Sequence, residues 1–285
     1  MSRYYNQLWG RQKVAEPESL ASALPLSTEV VDSPQTEPSP ADSNGAFLAH
    51  CRKLIFAHQS NVPIIFGQEE LFPAAVDSYR SLRTKLLRLM TAQGLRSLVI
   101  SSPNPAEGKT LTTFNLGLTF AKLNNQKILL VDSDLHTGGL TGLLGARSEP
   151  GLSDVLNGEV AFESTVLATS VENLYIVTAG LSSNRSSENF TSERWNQFMI
   201  WASKHFSIVL VDAPPILSTS DFELITAAGH GTLLVVRALR TSRESLSKAV
   251  KQIDSKKLLG TLFNEAGFKA KHHRYGYGSG THRPS

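Results

Sequence analysis

The chain has 285 residues, 41% of them hydrophobic and 19% charged, which is ordinary for a globular protein. The single cysteine, Cys51, excludes an internal disulfide framework and fits a reducing compartment. No run approaches the roughly 18 to 20 apolar residues of a membrane span, and the first residues lack the apolar core of a signal peptide. We therefore expect a cytoplasmic protein without a membrane anchor of its own.

Charge is distributed unevenly along the chain. Residues 1–46 carry three basic and six acidic side chains, a balance of −3, whereas residues 237–285 carry eleven basic and three acidic ones, a balance of +8. A basic end can bind nucleic acid, anionic lipid or an acidic partner, or it can be a solvated helix face followed by a loose tail. Because no aromatic residues are interleaved in a reader motif, nucleic-acid binding is not expected.

Composition divides the chain into three parts. Residues 14–46 are rich in Pro, Ser, Thr and acidic residues and show no sustained period, which predicts disorder. We therefore predict a mostly disordered region over 1–67 in which short helices can form, one α/β domain over 68–268, and a flexible basic tail over 269–285.

Within the central part, short apolar runs alternate with helical patterns. Near-continuous apolar strands separated by helices are typical of a mostly parallel sheet with helices on both faces. An amphipathic pattern near 74–90 comes first. The predicted strands are 97–101, 127–131, 173–178, 207–211, 231–236 and 258–263, and the predicted helices lie near 109–124, 192–205, 219–228 and 242–254.

A candidate nucleotide site follows the first of these strands. The stretch "SSPNPAEGKT" ends in Gly108, Lys109 and Thr110, where a helix is predicted to begin. A strand, a turn, Gly-Lys-Thr and a helix are the context of a phosphate-binding loop, although Pro103 stands where that loop usually has its first glycine. The predicted contacts for ATP come from Asn104, Pro105, Ala106, Glu107, Gly108, Lys109, Thr110 and Leu111, with the Thr110 hydroxyl on Mg²⁺.

Carboxylates follow two further predicted strands. "ILLVDSD" ends in Asp132 and Asp134, and "IVLVDAPP" contains Asp212. An aspartate after a strand is also a common turn or helix cap. However, ligands bind at the carboxyl ends of parallel strands, so the three aspartates and the loop should share one edge of the sheet. The combination predicts a P-loop NTPase-type site with Asp134 and Asp212 as further Mg²⁺ ligands.

These motifs resemble those of the bacterial protein-tyrosine kinases of exopolysaccharide and capsule assembly, which are relatives of the MinD/ParA-like ATPases. The resemblance covers residues 70–265. In that family the phosphate loop often lacks the first glycine, and the two later motifs end in Asp-x-Asp and Asp-x-Pro-Pro. Supporting matches are "TAG…NRSSENF" near Gly180, "STSD" at 218–221 and "LGTLFN" ending at Asn264.

The resemblance implies specific roles for these residues. Lys109 would hold the phosphates, Asp132 would be the base that orients a tyrosine hydroxyl or a water, and Asn264 would contact adenine. The family also assembles rings through a Glu-x-x-Arg-x-x-Arg helix, which reads Asp77, Arg80 and Arg83 in this chain.

The resemblance implies partners as well. They are other copies in a ring-like homo-oligomer, a separate membrane polysaccharide co-polymerase or chain-length protein, and a tyrosine phosphatase. The co-polymerase would recruit the chain to the inner face of the plasma membrane.

Two departures from the family pattern leave alternatives open. The family usually has Arg where this chain has His136, and its C-terminal tyrosine cluster is reduced here to Tyr275 and Tyr277. The alternatives to a tyrosine kinase are a MinD/ParA-like ATPase switch and a nucleotide-binding regulator without turnover, both of which would bind nucleotide with the same loop. The MinD/ParA type carries an extra lysine early in the loop, which this sequence lacks.

Overall fold

The computed structural model describes residues 29–31, 46–56, 73–181, 187–191, 193–229 and 231–265. Within these ranges the strands form one nine-stranded sheet in the order β1-β2-β5-β6-β4-β7-β3-β8-β9. The strands are β1 (Glu29–Val31), β2 (Arg52–Ile55), β3 (Ser97–Ser101), β4 (Ile128–Asp132), β5 (Leu167–Thr169), β6 (Leu174–Val177), β7 (Ile208–Asp212), β8 (Gly231–Arg237) and β9 (Leu258–Asn264).

The sheet is mostly parallel. From β6 to β9 every neighbouring pair runs in parallel, and β2 is parallel to β5, whereas β1 with β2 and β5 with β6 are antiparallel. The register places Asp132 of β4 directly opposite Asp212 of β7. The predicted mostly parallel α/β sheet is confirmed, and the six predicted strands are β3, β4, β6, β7, β8 and β9.

Seven α-helices connect these strands in the described ranges. The four helical segments predicted after the phosphate loop and the amphipathic helix before it are all present. The helices are α1 (Pro73–Gln93), α2 (Lys109–Ala121), α3 (Gly139–Leu143), α4 (Leu152–Leu156), α5 (Glu193–His205), α6 (Asp221–Ala228) and α7 (Arg243–Lys251), with 3₁₀ turns at Ala46–His50, Glu163–Thr165 and Ser187–Thr191.

Apolar side chains on the two faces of the sheet form two cores. Because successive residues of a strand point to opposite faces, Leu98 and Ile100 of β3 pack with α1 and α2, while Val99 packs with α5 and α6. All five residues of each of β3, β4 and β7 are buried. Burial on both faces explains why these strands read as continuous apolar runs rather than alternating ones.

The sheet also includes strands that were not predicted. β1 and β2 come from the region before residue 68 and join the sheet beside β5, and β2 is joined to the loop after α3 by an Arg52–Glu149 ion pair. Residues 57–72 and 266–285, and therefore the predicted tail with Tyr275 and Tyr277, lie outside the described residues. The three-part division of the chain remains a prediction. Within the described ranges, no helix combines the length and the apolar character that crossing a bilayer requires.

Candidate active site

The phosphate loop, residues 102–110, connects β3 to α2. Its backbone has positive φ angles at Ala106 (59°) and at Gly108 (94°), which is the N-cap of α2. A Cβ atom on Gly108 would collide with the side-chain amide of Asn264. Glycine is therefore required here both by the left-handed backbone and by the close approach of β9.

The loop is held in place by hydrogen bonds within it and by polar side chains of two distant segments. The Glu107 carboxylate accepts hydrogen bonds from Asn104 Nδ2 at 2.9 Å and from Thr241 Oγ1 at 2.7 Å. Asn264 Nδ2 donates to the Glu107 carbonyl at 3.0 Å. Asn264 thus shapes the loop in this structure, and its predicted contact with adenine stays a prediction.

Four predicted site residues meet at the carboxyl ends of β4 and β7. Lys109 Nζ lies 3.0 Å from Asp134 Oδ2 and 3.6 Å from Asp212 Oδ1. Thr110 Oγ1 donates to Asp212 Oδ2 at 2.7 Å, and Thr113 Oγ1 approaches Asp212 Oδ1 at 3.4 Å. The tertiary structure therefore brings the loop and the two later motifs into direct contact, as the parallel-strand argument predicted.

Lys109 and Asp212 are buried, and the charges of their neighbours shift the pKa of each. Burial alone would lower the pKa of Lys109, but the charges of Asp212 and Asp134 outweigh burial and raise that pKa. Burial raises the pKa of Asp212, against the opposing charge of Lys109 and the hydrogen bond from Thr110. The ammonium is therefore firmly held in its charged form between the two carboxylates.

Asp132 is enclosed rather than open to solvent. Its side chain is 0% exposed, and Oδ2 accepts hydrogen bonds from both the backbone N–H and the hydroxyl of Thr141, each at 2.7 Å. Burial, and then the charge of Asp212, raise the pKa of Asp132 to about 7, against the Thr141 hydrogen bonds and the Lys109 charge. A carboxyl group with this pKa is suited to exchanging a proton near neutral pH.

A cavity of about 500 Å³ lies in front of the loop. The predicted active-site residues that do not line it are Asn104, Glu107, Asp132, Asp212 and Asn264. Of these, Asp212 accepts a hydrogen bond from Thr110 and Asp132 accepts one from the Asp134 N–H, and both donors belong to lining residues. The predicted site residues that line it are Pro105, Ala106, Gly108, Lys109, Thr110, Leu111 and Asp134, and the others are His136, Thr137, Gly139, Leu143, Pro214, Pro215, Ser218 and Thr219.

The donor set fits Mg²⁺ held together with phosphates. In the described residues, no group of three or more His, Cys, Asp or Glu side chains is arranged to hold a metal by itself. Mg²⁺ is usually bound by one or two carboxylates and substrate phosphates rather than by an all-protein cage. Thr110 offers a hydroxyl oxygen, and Asp134 and Asp212 offer carboxylate oxygens, which are the hard donors that Mg²⁺ prefers.

The predicted oligomerisation residues lie elsewhere, on α1. Arg80 forms an ion pair with Asp77 at 3.4 Å, and both side chains are more than half exposed. Arg83 instead turns inward, and its Nη1 donates to the Thr119 carbonyl of α2 at 2.8 Å. Asp77 and Arg80 are therefore accessible to another subunit, whereas Arg83 already serves the packing of α1 on α2.

Some residues of the site were not predicted. Thr141, which holds Asp132, lies in a short helix without a recognisable motif, and Thr241 reaches the loop from 134 residues further along the chain. Pro214 and Pro215 were visible in the Asp-x-Pro-Pro motif, and Ser218 and Thr219 in "STSD", so the sequence carried a signal for these cavity residues.

Comparison with known proteins agrees with this geometry. The family model of the AAA domain matches residues 98–259, which is more than half of the chain. The putative tyrosine-protein kinase EpsB of Ralstonia nicotianae is 31% identical over 207 residues, which are 72% of this chain and 27% of EpsB. The tyrosine-protein kinase YwqD of Bacillus subtilis is 29% identical over 203 residues, 70% of this chain and 85% of YwqD.

A solved structure of a tyrosine kinase domain is also similar to this chain. The BceF tyrosine kinase domain superposes with a TM-score of 0.60 at 32% identity, covering 66% of this chain and 76% of that domain. This chain thus spans about a quarter of the length of EpsB but most of YwqD and of the BceF domain. With its phosphate loop and the aspartates at the ends of β4 and β7, the chain belongs to the AAA domain family and, within these P-loop ATPases, to the bacterial protein-tyrosine kinases.

Proposed function

We propose that this chain is an ATP- and Mg²⁺-dependent kinase that transfers the terminal phosphoryl group of ATP to tyrosine. The observation that carries this proposal is the set of contacts at adjacent strand ends in which Lys109 lies 3.0 Å from Asp134 and 3.6 Å from Asp212, and Thr110 lies 2.7 Å from Asp212. Catalysis of phosphoryl transfer depends mainly on positioning and on neutralising charge, which a rigid, buried cluster of this kind can supply. The names of the relatives supply the acceptor, tyrosine.

Each residue has a role that follows from its contacts. Lys109 would exchange its contacts with Asp134 and Asp212 for phosphate oxygens, and the loop N–H groups at the start of α2 would bind the same phosphates. Thr110, Asp134 and Asp212 would hold Mg²⁺ directly or through water, and the ion would neutralise phosphate charge. Asp132, whose pKa is raised to about 7, would accept the tyrosine proton.

We further propose the cellular setting that the family membership suggests. Tyr275 and Tyr277 would be the phosphate acceptors, presented to a neighbouring subunit in a ring that uses Asp77, Arg80 and Arg83. A membrane polysaccharide co-polymerase would recruit the chain from the cytoplasm to the inner face of the plasma membrane and activate it, and a tyrosine phosphatase would reverse the modification. The output would be control of exopolysaccharide or capsule polymerisation and export.

The test is a phosphorylation assay with the full chain. The purified protein, with Mg²⁺-ATP and the cytoplasmic segment of the co-polymerase, should accumulate phosphate that mass spectrometry locates on Tyr275 or Tyr277. Lys109→Met should abolish it, whereas Lys248→Ala, which removes an exposed lysine that pairs with Glu244 on α7, should not.

Two outcomes would reject the kinase proposal. ADP release that depends on Lys109 without any phosphotyrosine would instead identify a MinD/ParA-like ATPase switch. ATP binding without either product would identify a nucleotide-binding regulator.

A further inference from the structure

The carboxylate proposed as the base is held by three hydrogen-bond donors. Asp132 Oδ2 accepts two bonds from Thr141, and Oδ1 accepts one from the Asp134 backbone N–H at 3.3 Å. With a side chain that is 0% exposed, Asp132 cannot rotate while all three bonds persist. Its orientation is therefore determined by the residues that surround it, and chiefly by Thr141.

The Thr141 hydroxyl has a second partner that determines the direction of its hydrogen bonds. The backbone N–H of Ala179, just after β6, donates to Thr141 Oγ1 at 2.8 Å. A hydroxyl has a single proton to give, and since Ala179 is a donor, that proton is directed to Asp132. Thr141 thus bridges the end of β4 to the end of β6.

Thr141 is also connected to a wall of the cavity through its helix. It lies in α3, whose Gly139 and Leu143 line the cavity in front of the phosphate loop. Gly139 packs so closely on Thr110 that an added Cβ atom would lie 2.9 Å from Thr110 Oγ1. The start of α3, two residues before Thr141, therefore lies directly beside Thr110.

We infer that Thr141 is a positioning residue, which orients the Asp132 carboxylate and links it through α3 to the phosphate loop. Its catalytic consequence rests on the proposed function, because Asp132 has to be the base for its orientation to matter. The hydrogen-bonding role itself does not depend on which reaction the site performs.

Two substitutions of Thr141 separate the hydroxyl from the shape of the side chain. Thr141→Val removes both hydroxyl bonds and keeps the backbone donor, whereas Thr141→Ser retains the hydroxyl. Thr165→Val is the matched control, since Thr165 is also fully buried and its hydroxyl bonds to the Phe162 carbonyl in a separate turn. All variants would be made in the full chain, with thermal unfolding to verify that they fold.

The kinetic expectation concerns turnover and not binding. Thr141→Val should lower kcat roughly 10- to 100-fold and leave the Kd of a fluorescent ATP analogue within about twofold of wild type. Thr141→Ser should restore most of the lost turnover, and Thr165→Val should keep wild-type kcat. Equal losses in the Val and Ser variants, or an unchanged kcat in the Val variant, would overturn the inference.

A second readout does not require activity. The ¹³C resonance of the Asp132 carboxyl, identified by its loss in Asp132→Asn, should move in Thr141→Val and stay in place in Thr141→Ser and Thr165→Val. If wild type forms neither phosphotyrosine nor ADP, the proposed function fails while this resonance still decides the role of Thr141. A resonance that does not move in Thr141→Val would rule that role out.

Discussion

At the carboxyl ends of β4 and β7, Asp132, Asp134 and Asp212 are almost completely buried and are held by bonds to the phosphate loop and to α3. At the start of α1, in contrast, Asp77 and Arg80 are exposed and pair with each other on the surface. Both regions were recognised from short charged motifs. The first builds a rigid site because each buried charge requires its partners, whereas the second leaves its charges available to another molecule, since an exposed pair contributes little to stability.

The largest effect on turnover is expected in the buried site at the ends of β4 and β7. Asp212→Asn keeps the shape of the side chain but removes the charge that contacts Lys109 and Thr110. Turnover should fall by roughly 10² to 10³-fold, because one preorganised charged group is lost from the site. Asp254→Asn, at an exposed carboxylate that accepts a hydrogen bond from Lys256 N, is the control. A decrease smaller than about tenfold, measured as initial rates with saturating ATP, would place the proposed metal site elsewhere.

The second effect concerns the pH dependence of stability. The pKa of Asp132 is raised from 3.8 to about 7, so between these values the folded state keeps a proton that the unfolded state has lost. Folding therefore loses stability as pH rises from about 4 to about 7, by an amount on the order of 4 kcal/mol. Chemical denaturation without nucleotide, in EDTA, should show this loss in wild type. The Asp132→Asn variant should lose distinctly less stability over the same pH range. If the unfolding free energies of the two proteins change in parallel with pH, Asp132 is not the group with the raised pKa.

The smallest effects are expected on α1, where the two arginines should behave differently. Arg83→Ala removes a hydrogen bond to the Thr119 carbonyl and should cost about 1 to 2 kcal/mol of unfolding free energy. Arg80→Ala should change it by less than about 0.5 kcal/mol. If α1 assembles subunits, Arg80→Ala should nevertheless shift the sedimentation profile toward monomer. An unchanged profile would reject the proposed role of Arg80.

Local patterns were sufficient to predict most of the central sheet. Strands such as β3, β4 and β7 are buried on both faces, so their apolar runs and the aspartates that end two of them stand out in the sequence. β5 is a strand of three residues between the 3₁₀ turn Glu163–Thr165 and β6, and β1 and β2 are similarly short. Such short segments carry too few residues to show a period, and they are strands because an existing sheet edge pairs with them.

The sequence predicted which residues form the site, but it did not predict the hydrogen bonds that hold them in place. Lys109, Asp134 and Asp212 follow strands or begin a helix, and parallel strands place such positions at one edge. The partners of Asp132 and Glu107 lie in segments with no motif, namely Thr141 in α3 and Thr241 after β8. A threonine hydroxyl becomes a partner only through the packing that brings it near, which a single sequence does not display.

By itself, the sequence determined the parallel α/β fold, the phosphate loop with proline in place of its first glycine, and which aspartates gather at the edge of the sheet. It did so because these depend on periodicity and on the order of strands and helices. Only the tertiary structure decided that Asp132 is enclosed by Thr141 and has a pKa near 7, that Asn264 supports the loop and that Arg83 turns inward while Arg80 stays exposed. Burial and hydrogen bonding between segments distant in the chain determine these properties, and they exist only once the chain has folded.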